Sequence, residues 1–137
     1  SLIPADYAQL LAEVKERIRF AQYAALKAVN TELVGLYWDL GRMIVERQEQ
    51  SGWGKSVVER LSQDLRREFP GVAGFSVQNL WYMRQFHMEY RGNERLQPLV
   101  GEVAWAHNLV IMSKCKAPLE REFYLRMTRK FGWSKNV

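Results

Sequence analysis

Hydrophobic positions in the first third of the chain recur at alternating intervals of four and three residues. The recurring positions are Tyr7, Leu11, Val14, Ile18, Ala21, Ala25 and Ala28. This spacing puts one apolar side chain per turn on one face of a helix and is typical of a coiled-coil seam. Near Asn30 the phase slips by one residue, and the pattern continues through Val29, Leu33, Leu36, Leu40 and Ile44. The pattern predicts either one bent helix over 7–47 or two helices that meet at Asn30.

The seam over 7–47 needs other apolar surface to cover it. The alanines within it would allow a partner to approach closely. One candidate is the set of other helices in the same domain, and this is our first expectation. The other is a second copy of the chain, which would make the protein a homodimer through this seam.

A second pattern, between Gly52 and Tyr90, predicts two short helices joined at a corner. Apolar residues at helical spacing predict the first helix, and these are Val57, Val58, Leu61, Leu65 and Phe69. Pro70 and Gly71 should end it, because proline disfavours helical geometry in the residue before it. Ser76 is the predicted N-cap of a second helix over 77–90. Two helices meeting at a corner form the unit that places a helix in the major groove of DNA, although six intervening residues exceed the usual turn.

The polar faces of these two helices supply the candidate binding residues. Amides of Asn and Gln can bond bidentately to adenine, so the outward side of the second helix would face the groove. The candidates there are Gln78, Asn79, Tyr82 and Gln85. The candidates for phosphate contacts on the first helix are Lys55, Arg60, Arg66 and Arg67. The alternative is that these residues form an ordinary solvated surface.

Other residues of the second helix carry separate expectations. Tyr82 and Phe86 fall on the predicted outer face, where they could form a protein-interaction patch. Arg84 falls on the inward face and is expected to pair with a carboxylate, because an unpaired buried charge is costly.

The rest of the chain predicts a loop followed by further helices. Composition predicts the loop over 91–95, which Pro98 and Gly101 extend. Helical spacing returns over 103–115 and again from Pro118. Gly132 is predicted to end that last helix, and Trp133-Ser134 to begin another. No segment alternates in the manner of a strand. The predicted fold class is all-α, in a single module over 1–137 with parts at 1–50, 51–92 and 93–137, taken from a longer protein.

Composition and charge narrow the classes of function only modestly. The net charge of +5 and the pI near 9.5 permit a nucleic acid or another anionic partner. The lone cysteine, Cys115, fits a reducing, cytoplasmic setting. No apolar run approaches the roughly 20 residues that span a membrane, and no signal peptide opens the chain.

Three patterns imitate catalytic or ligand sites without completing them. Gly54-Lys55-Ser56 has the end of a P-loop, but position 49 holds Glu where the loop needs glycine. Asp6 with Glu13-x-Lys15 imitates a nuclease metal motif, but all three residues fall on a predicted helix. His87 and His107 show no metal-ligand spacing with Cys115. We therefore predict no catalytic residue, metal or cofactor in this chain, and no enzyme activity of its own.

Several linked motifs nevertheless resemble one family. They are Tyr37-Trp38-x-Leu40-Gly41, Gly52-Trp53-Gly54-Lys55, Leu61-Ser62-x-Asp64-Leu65, Phe69-Pro70, Gly74-Phe75-Ser76, Asn79-Leu80-x-x-Met83-Arg84-x-Phe86-x-x-x-Tyr90, Trp105-x-His107, Arg121-x-Phe123-Tyr124 and Gly132-Trp133-Ser134. Together they resemble the N-terminal domain of the bacterial YhcG-like proteins over nearly the whole chain. One departure is Trp105-Ala106-His107, where the family pattern has serine in the middle.

The resemblance implies a helical domain of unknown function that precedes a PD-(D/E)xK nuclease-like domain. It places the presumed catalytic residues outside this chain and implies a role directed at nucleic acid. Our leading hypothesis is a non-catalytic, helix-turn-helix-like module that binds DNA, or alternatively RNA, and positions the nuclease-like domain. The rival hypothesis is an oligomerisation or protein-interaction module that binds no nucleic acid.

Overall fold

A computed structural model of the chain describes the backbone of residues 4–136 and the side chains of residues 4–131. Over that range it contains six helices and no strand. The helices are α1 (Tyr7–Ser51), α2 (Lys55–Glu68), α3 (Val77–Tyr90), α4 (Gln97–Val100), α5 (Trp105–Lys114) and α6 (Pro118–Asn136). The predicted all-α class is confirmed. No helix within the described residues is long and apolar enough to cross a membrane.

The helix α1 passes through Asn30 without a break, so the one-helix alternative is the correct one. The Asn30 side chain is buried and donates a hydrogen bond from Nδ2 to the Val103 carbonyl, 3.0 Å away. Thr31 Oγ1 lies 3.3 Å from the Gly101 carbonyl oxygen. Asn30 therefore anchors α1 to the segment before α5 and does not terminate the helix. The helix ends at Gly52, whose φ of 67° lies in the left-handed region that favours glycine.

Only the second half of α1 contributes to the core. Its buried residues all lie from Asn30 onward and are Asn30, Val34, Tyr37, Gly41, Ile44 and Val45. The seam before that point is exposed: Leu11, Val14 and Ile18 keep 36%, 44% and 51% of their accessible surface. The expectation that the domain's own helices bury this part of the seam is wrong. At about 100° per residue, the seam and the core-facing residues point in directions about 150° apart.

The most enclosed helix is α3, which is packed against α1, α2 and α5. Leu80, Met83, Phe86 and Tyr90 have no exposed surface. The prediction that Phe86 lies on the outer face is wrong, because two indoles cover it. Its ring meets Trp38 of α1 and Trp105 of α5 edge-on, at centroid distances of 5.6 and 5.0 Å.

A glycine allows α1 and α3 to approach closely. A Cβ atom at Gly41 would overlap the backbone carbonyl of Met83 and lie 3.2 Å from the Cβ of His87. Real Cβ atoms do not approach backbone atoms so closely, so only glycine fits at this crossing. The register between α1 and α3 is therefore fixed at Gly41.

The corner between α2 and α3 is held by polar side chains. The hydroxyl of Ser62, fully buried in α2, donates to the Phe75 carbonyl at 2.6 Å. Gly74 has a φ of 108° and lies against the Tyr37 hydroxyl, where a Cβ would not fit. The Ser76 hydroxyl accepts a hydrogen bond from the backbone N–H of Asn79 at 3.1 Å, so its predicted N-cap role is confirmed.

The carboxyl-terminal third differs from the prediction at two places. Residues 97–100 form the short helix α4 inside the predicted loop, where Leu99 and Val100 are buried. The helix α6 continues through Gly132 to Asn136, so the predicted end at Gly132 and the predicted new helix at Trp133-Ser134 are both wrong. A glycine inside a helix costs only about 1 kcal/mol relative to alanine, and a helix can absorb that.

A buried guanidinium ties α6 to α3 and α5. Arg121 donates from Nη2 to Glu89 Oε2 and from Nε to the Cys115 carbonyl, each at 2.6 Å. It also contacts the Met112 carbonyl at 3.1 Å. These charge-assisted bonds satisfy the cation on several sides, which permits its burial.

We predict that Gly41→Ala destabilises the protein by about 1–3 kcal/mol or more, because the added methyl group must force α1 and α3 apart. Gly35→Ala, in the same helix, is the matched control, since a Cβ there meets nothing within 4 Å. That control should gain about 0.5–1 kcal/mol from the reduced freedom of the unfolded chain. Urea denaturation measures both values. Equal effects of the two substitutions would contradict the close crossing.

We also predict that His87 makes the protein less stable in acid. Burial is the largest influence that lowers the pKa of His87; Arg91 and Arg42 add to it, while Glu46 and Glu49 oppose it. The His87 imidazole therefore binds a proton more tightly in the unfolded chain than in the folded one. The free energy of unfolding is highest above the ordinary histidine pKa of about 6.5 and falls as the pH drops through that value.

Urea denaturation between about pH 7.5 and pH 5, on either side of the ordinary histidine pKa, measures this slope. His87→Leu should flatten it. His107→Gln is the control, since it leaves His87 in place and should keep the slope. An unchanged slope in His87→Leu would contradict the prediction.

Candidate nucleic-acid interface

All four predicted phosphate-contacting residues lie on the exposed side of α2. Val58 and Ser62 form the buried side of that helix, and its amphipathic pattern turns the cationic residues away from them. All four residues lie outside the core and are exposed, namely Lys55, Arg60, Arg66 and Arg67. The side chains of Arg60 and Arg67 retain 72% and 74% of their accessible surface.

One carboxylate lies between two of these arginines. Arg60 Nε lies 3.2 Å from Asp64 Oδ2, and Arg67 Nη1 lies 3.5 Å from Asp64 Oδ1. Exposed pairs of this kind on a helix contribute only about 0.3–0.5 kcal/mol. An incoming phosphate can therefore compete with Asp64 for either guanidinium.

Three of the four predicted groove-facing residues remain accessible at the surface of α3. Gln78 is exposed and donates from Nε2 to the Tyr82 hydroxyl at 3.0 Å. Tyr82 and Gln85 are half-buried. Gln85 Nε2 lies 3.5 Å from Glu89 Oε1, a long contact that leaves its amide able to find another partner.

The fourth predicted residue, Asn79, is half-buried, and its side-chain amide is bonded within the protein. Its Nδ2 donates to the Gly74 carbonyl at 2.7 Å, and its Oδ1 accepts from the Trp105 indole at 2.9 Å. Both ends of the amide are engaged in fixing the corner against α5. Asn79 therefore supports the start of α3, and its amide is not presented to a ligand.

Arg84 pairs differently from the expectation. Its Nε donates to the Gln48 side-chain oxygen near the end of α1, and its guanidinium lies 5.7 Å from the centre of the Trp81 ring. The expected carboxylate partner is wrong. The neighbouring carboxylate of Glu49 is engaged by Arg91 at 3.2 Å, so an amide and an aromatic face take its place around Arg84.

The excess positive charge of the chain lies in a segment that contains none of the candidate binding residues. Residues 114–137 hold seven of the 20 Lys and Arg residues but only two of the 15 Asp and Glu residues, which leaves thirteen of each in the first 113. Arg126 and Arg129 of this segment pair with Glu122 and Glu102 at 3.0 Å. A count of charge by segment would have shown this region as a second cationic surface.

The prediction that the chain is non-catalytic rests on its possible metal ligands and on its cysteine. Within the described part of the chain, no group of three His, Cys, Asp or Glu residues is arranged to hold a metal ion. Cys115 is buried, and burial, followed by Glu120, raises the pKa of its thiol. A thiol with a raised pKa stays protonated at neutral pH and is a poor nucleophile.

An apolar cavity of about 410 Å³ lies where α1 and α2 diverge. Its wall contains Leu40, Met43, Trp53, Leu61 and Leu65, with Arg42, Glu46 and Arg47 also lining it. A second concave area, over Ala28, Val29, Glu32, Leu33 and Leu36, lies on an exposed face of α1. The polar groups of the first cavity include the ion pair between Arg42 Nη1 and Glu46 Oε1, which lie 3.3 Å apart.

Comparison with known proteins gives a family and a relative. Residues 13–137 match the family described as the DUF1016 N-terminal domain. An Escherichia coli (strain K12) protein named "Putative nuclease YhcG" is 29% identical over 103 residues, which cover 72% of this chain and 27% of the relative. The chain thus spans about a quarter of that relative's length. No solved structure matches. The resemblance to YhcG-like proteins is confirmed, and the chain belongs to the DUF1016 N-terminal domain family.

Proposed function

We propose that this chain is a non-catalytic module that binds nucleic acid, DNA in the first place, and positions a nuclease-like domain of a longer protein. The observation that carries the proposal is the pair of exposed arginines on α2. Arg60 and Arg67 expose more than two thirds of their side chains and share only the Asp64 carboxylate. Guanidinium groups in this state are suited to phosphate oxygens, which they bind in a bidentate manner.

The adjoining helix α3 supports the same proposal. Its first turns present Gln78 and Tyr82, which are hydrogen-bonded to each other, and Gln85 follows one turn later. An amide and a phenol can bond to base edges or stack on bases, whereas the basic residues supply affinity without sequence preference. Asn79 leaves the proposed set of contact residues, because its amide is used to hold the corner.

Hydrogen bonds at the corner between α2 and α3 hold the proposed binding surface in one arrangement before a ligand binds. The Ser62 hydroxyl, the Ser76 cap and the Asn79 amide fix the start of α3 relative to α2. A surface that is already ordered loses less conformational entropy on binding. Lys55, Arg60, Arg66 and Arg67 would contact phosphates, and Gln78, Tyr82 and Gln85 would face the bases.

The relative adds support of a different kind. The E. coli protein bears the name "Putative nuclease YhcG", and this chain matches about a quarter of its length. A module associated with a nuclease has a physical use for holding its substrate, since binding raises the local concentration of nucleic acid at a tethered domain. The lone cysteine is in keeping with a cytoplasmic setting for such a module.

We expect the chain to bind labelled duplex DNA with an affinity that falls steeply as salt is raised. Each phosphate contact should contribute about 0.9 to the slope of log affinity against log salt. Arg60→Ala combined with Arg67→Ala should therefore reduce the slope by about 1.8 if each arginine contacts one phosphate. Fluorescence anisotropy with duplex DNA, single-stranded DNA and RNA over a salt series measures these values.

The matched control removes the same charge from the second cationic surface. Arg126→Ala combined with Lys130→Ala changes two cations on α6 and should leave the slope nearly unchanged. A larger loss in this control than in the α2 variant would move the binding surface to α6 and contradict the proposal. Absence of binding at low salt by the folded chain would refute nucleic-acid binding altogether.

A further inference from the structure

The first half of α1 extends beyond the packed helices with its apolar side chains in solvent. Between residues 7 and 29 every side chain is exposed except Tyr23, which is half-buried. Large apolar residues in this part are Tyr7, Leu10, Leu11, Val14, Ile18, Phe20, Leu26 and Val29. A single helix without tertiary packing is marginally stable in water, and contiguous exposed apolar surface marks an interaction site. This half of α1 therefore has the properties of an interface.

Most of these residues belong to one continuous line along α1, which we call the outer stripe. It consists of Tyr7, Leu11, Val14, Ile18, Ala21, Ala25, Val29, Leu33, Leu36, Leu40 and Met43. These positions recur at the helical period and keep within a band of about 120° around the axis. The band is separate from the face that α1 turns to α3, so α1 has two apolar faces and the described fold fully buries residues of only one.

The outer stripe is symmetric about Ala25 to within one residue. Val14 and Leu36 lie eleven residues to either side of it, and Tyr7 and Met43 lie eighteen to either side. The middle is rich in small residues, which are Ala21, Ala24, Ala25 and Ala28. A helix with this symmetry is complementary to itself when a second copy runs in the opposite direction, and the alanines allow the two axes to approach closely.

Charges along the outer stripe also favour an antiparallel arrangement of two copies. Glu32 lies at one edge of the stripe, seven residues after Ala25, and Arg17 lies just beyond the same edge, eight residues before it. No ion pair joins either of them to another residue of the described part of the chain; the Arg17 guanidinium lies 6.0 Å from the Phe20 ring. An antiparallel pair brings Arg17 of each copy beside Glu32 of the other, whereas a parallel pair leaves these two residues roughly 22 Å apart along the helix axes.

The outer stripe also leads into the cavity between α1 and α2. Leu40 and Met43 belong to both, and Met43 is 50% exposed. In an antiparallel pair centred on Ala25, Tyr7 of the second copy comes to the level of Met43. Its ring would then enter the apolar cavity of about 410 Å³ beside Trp53 and Leu61. One arrangement thus covers both the exposed stripe and the cavity.

We propose that two copies of this chain associate through the outer stripe as an antiparallel, two-fold symmetric pair centred on Ala25. With its flanking residues the stripe offers roughly the 20 residues per side of a standard-size interface. The stripe spans roughly 55 Å of helix. The inference concerns α1 alone and does not depend on nucleic-acid binding by α2 and α3.

Sedimentation equilibrium over a wide range of protein concentration tests the association. The chain should be dimeric, and Ile18→Glu combined with Val29→Glu should make it monomeric without loss of the circular-dichroism signal of the helices. The matched control is Phe20→Gln, which changes a residue 67% exposed on the opposite side of α1 without placing a carboxylate beside Arg17, and it should leave the dimer intact. A chain that is monomeric at every concentration, or a control that dissociates like the stripe variant, would overturn the proposal.

A charge-reversal cycle tests the direction without touching apolar packing. Arg17→Glu alone and Glu32→Arg alone should each raise the dissociation constant about tenfold or more, because each creates two like-charge contacts per dimer. The chain with both reversals should recover the original dissociation constant. Failure of the double variant to recover would overturn the pairing of Arg17 with Glu32.

Cysteine cross-linking tests the register. A mixture of a Val14→Cys chain with a Leu36→Cys chain should form a disulfide between the two kinds of chain under mild oxidation. Cys115 is buried and can remain in both. Formation of the cross-link by the Val14→Cys chain with itself would indicate a parallel pair and overturn the antiparallel one. The proposal would also be overturned if the longer protein were monomeric, with its own remaining residues covering the outer stripe.

Discussion

The crossing of α1 and α3 at Gly41 is the constraint on which the other contacts of this fold depend. Because a Cβ atom at that position would overlap the Met83 carbonyl, the two backbones lie in direct contact there. This closeness brings Phe86 between the indoles of Trp38 and Trp105. It also brings Tyr37 over Gly74 at the corner. The position of α2 then follows from the corner, since the Ser62 hydroxyl holds the residue before the Ser76 cap.

Local chemistry explains which parts of the fold could be predicted from the sequence. Ser76, Pro70 and the apolar spacing of α2 act on their own neighbours, so the all-α class and the cap at Ser76 could be predicted. The position of Phe86 depends on α5, which is distant in sequence, and helical periodicity cannot show that a third helix covers an outward face. The continuity of α1 likewise depends on the bond from Asn30 to Val103. A residue that looks like a helix breaker can instead be the one that attaches the helix.

In the candidate interface too, some features could be predicted from the sequence and others depend on contacts with distant segments. The cationic side of α2 follows from the amphipathic pattern of that helix, and Arg60 and Arg67 are indeed exposed. The roles of Asn79 and Arg84 do not follow, because their partners Trp105 and Gln48 come from α5 and α1. Sequence reasoning could assign these polar residues to a helix face but not to a partner. Contacts between distant segments convert a candidate ligand-binding amide into a structural one.

Because α1 is unbroken, it sets both the distance and the relative direction between the two surfaces that it carries. Its exposed first half and its core-facing residues belong to one unbroken helix, so their relative direction depends on the number of residues between them. Inserting one residue between Val29 and Asn30 would rotate one surface against the other by about 100°. Inserting seven residues would lengthen the helix by about 10 Å and rotate one surface against the other by only about 20°. Changes of length in α1 are therefore compatible with both surfaces only where the added residues come close to whole turns, as about seven or eleven residues do.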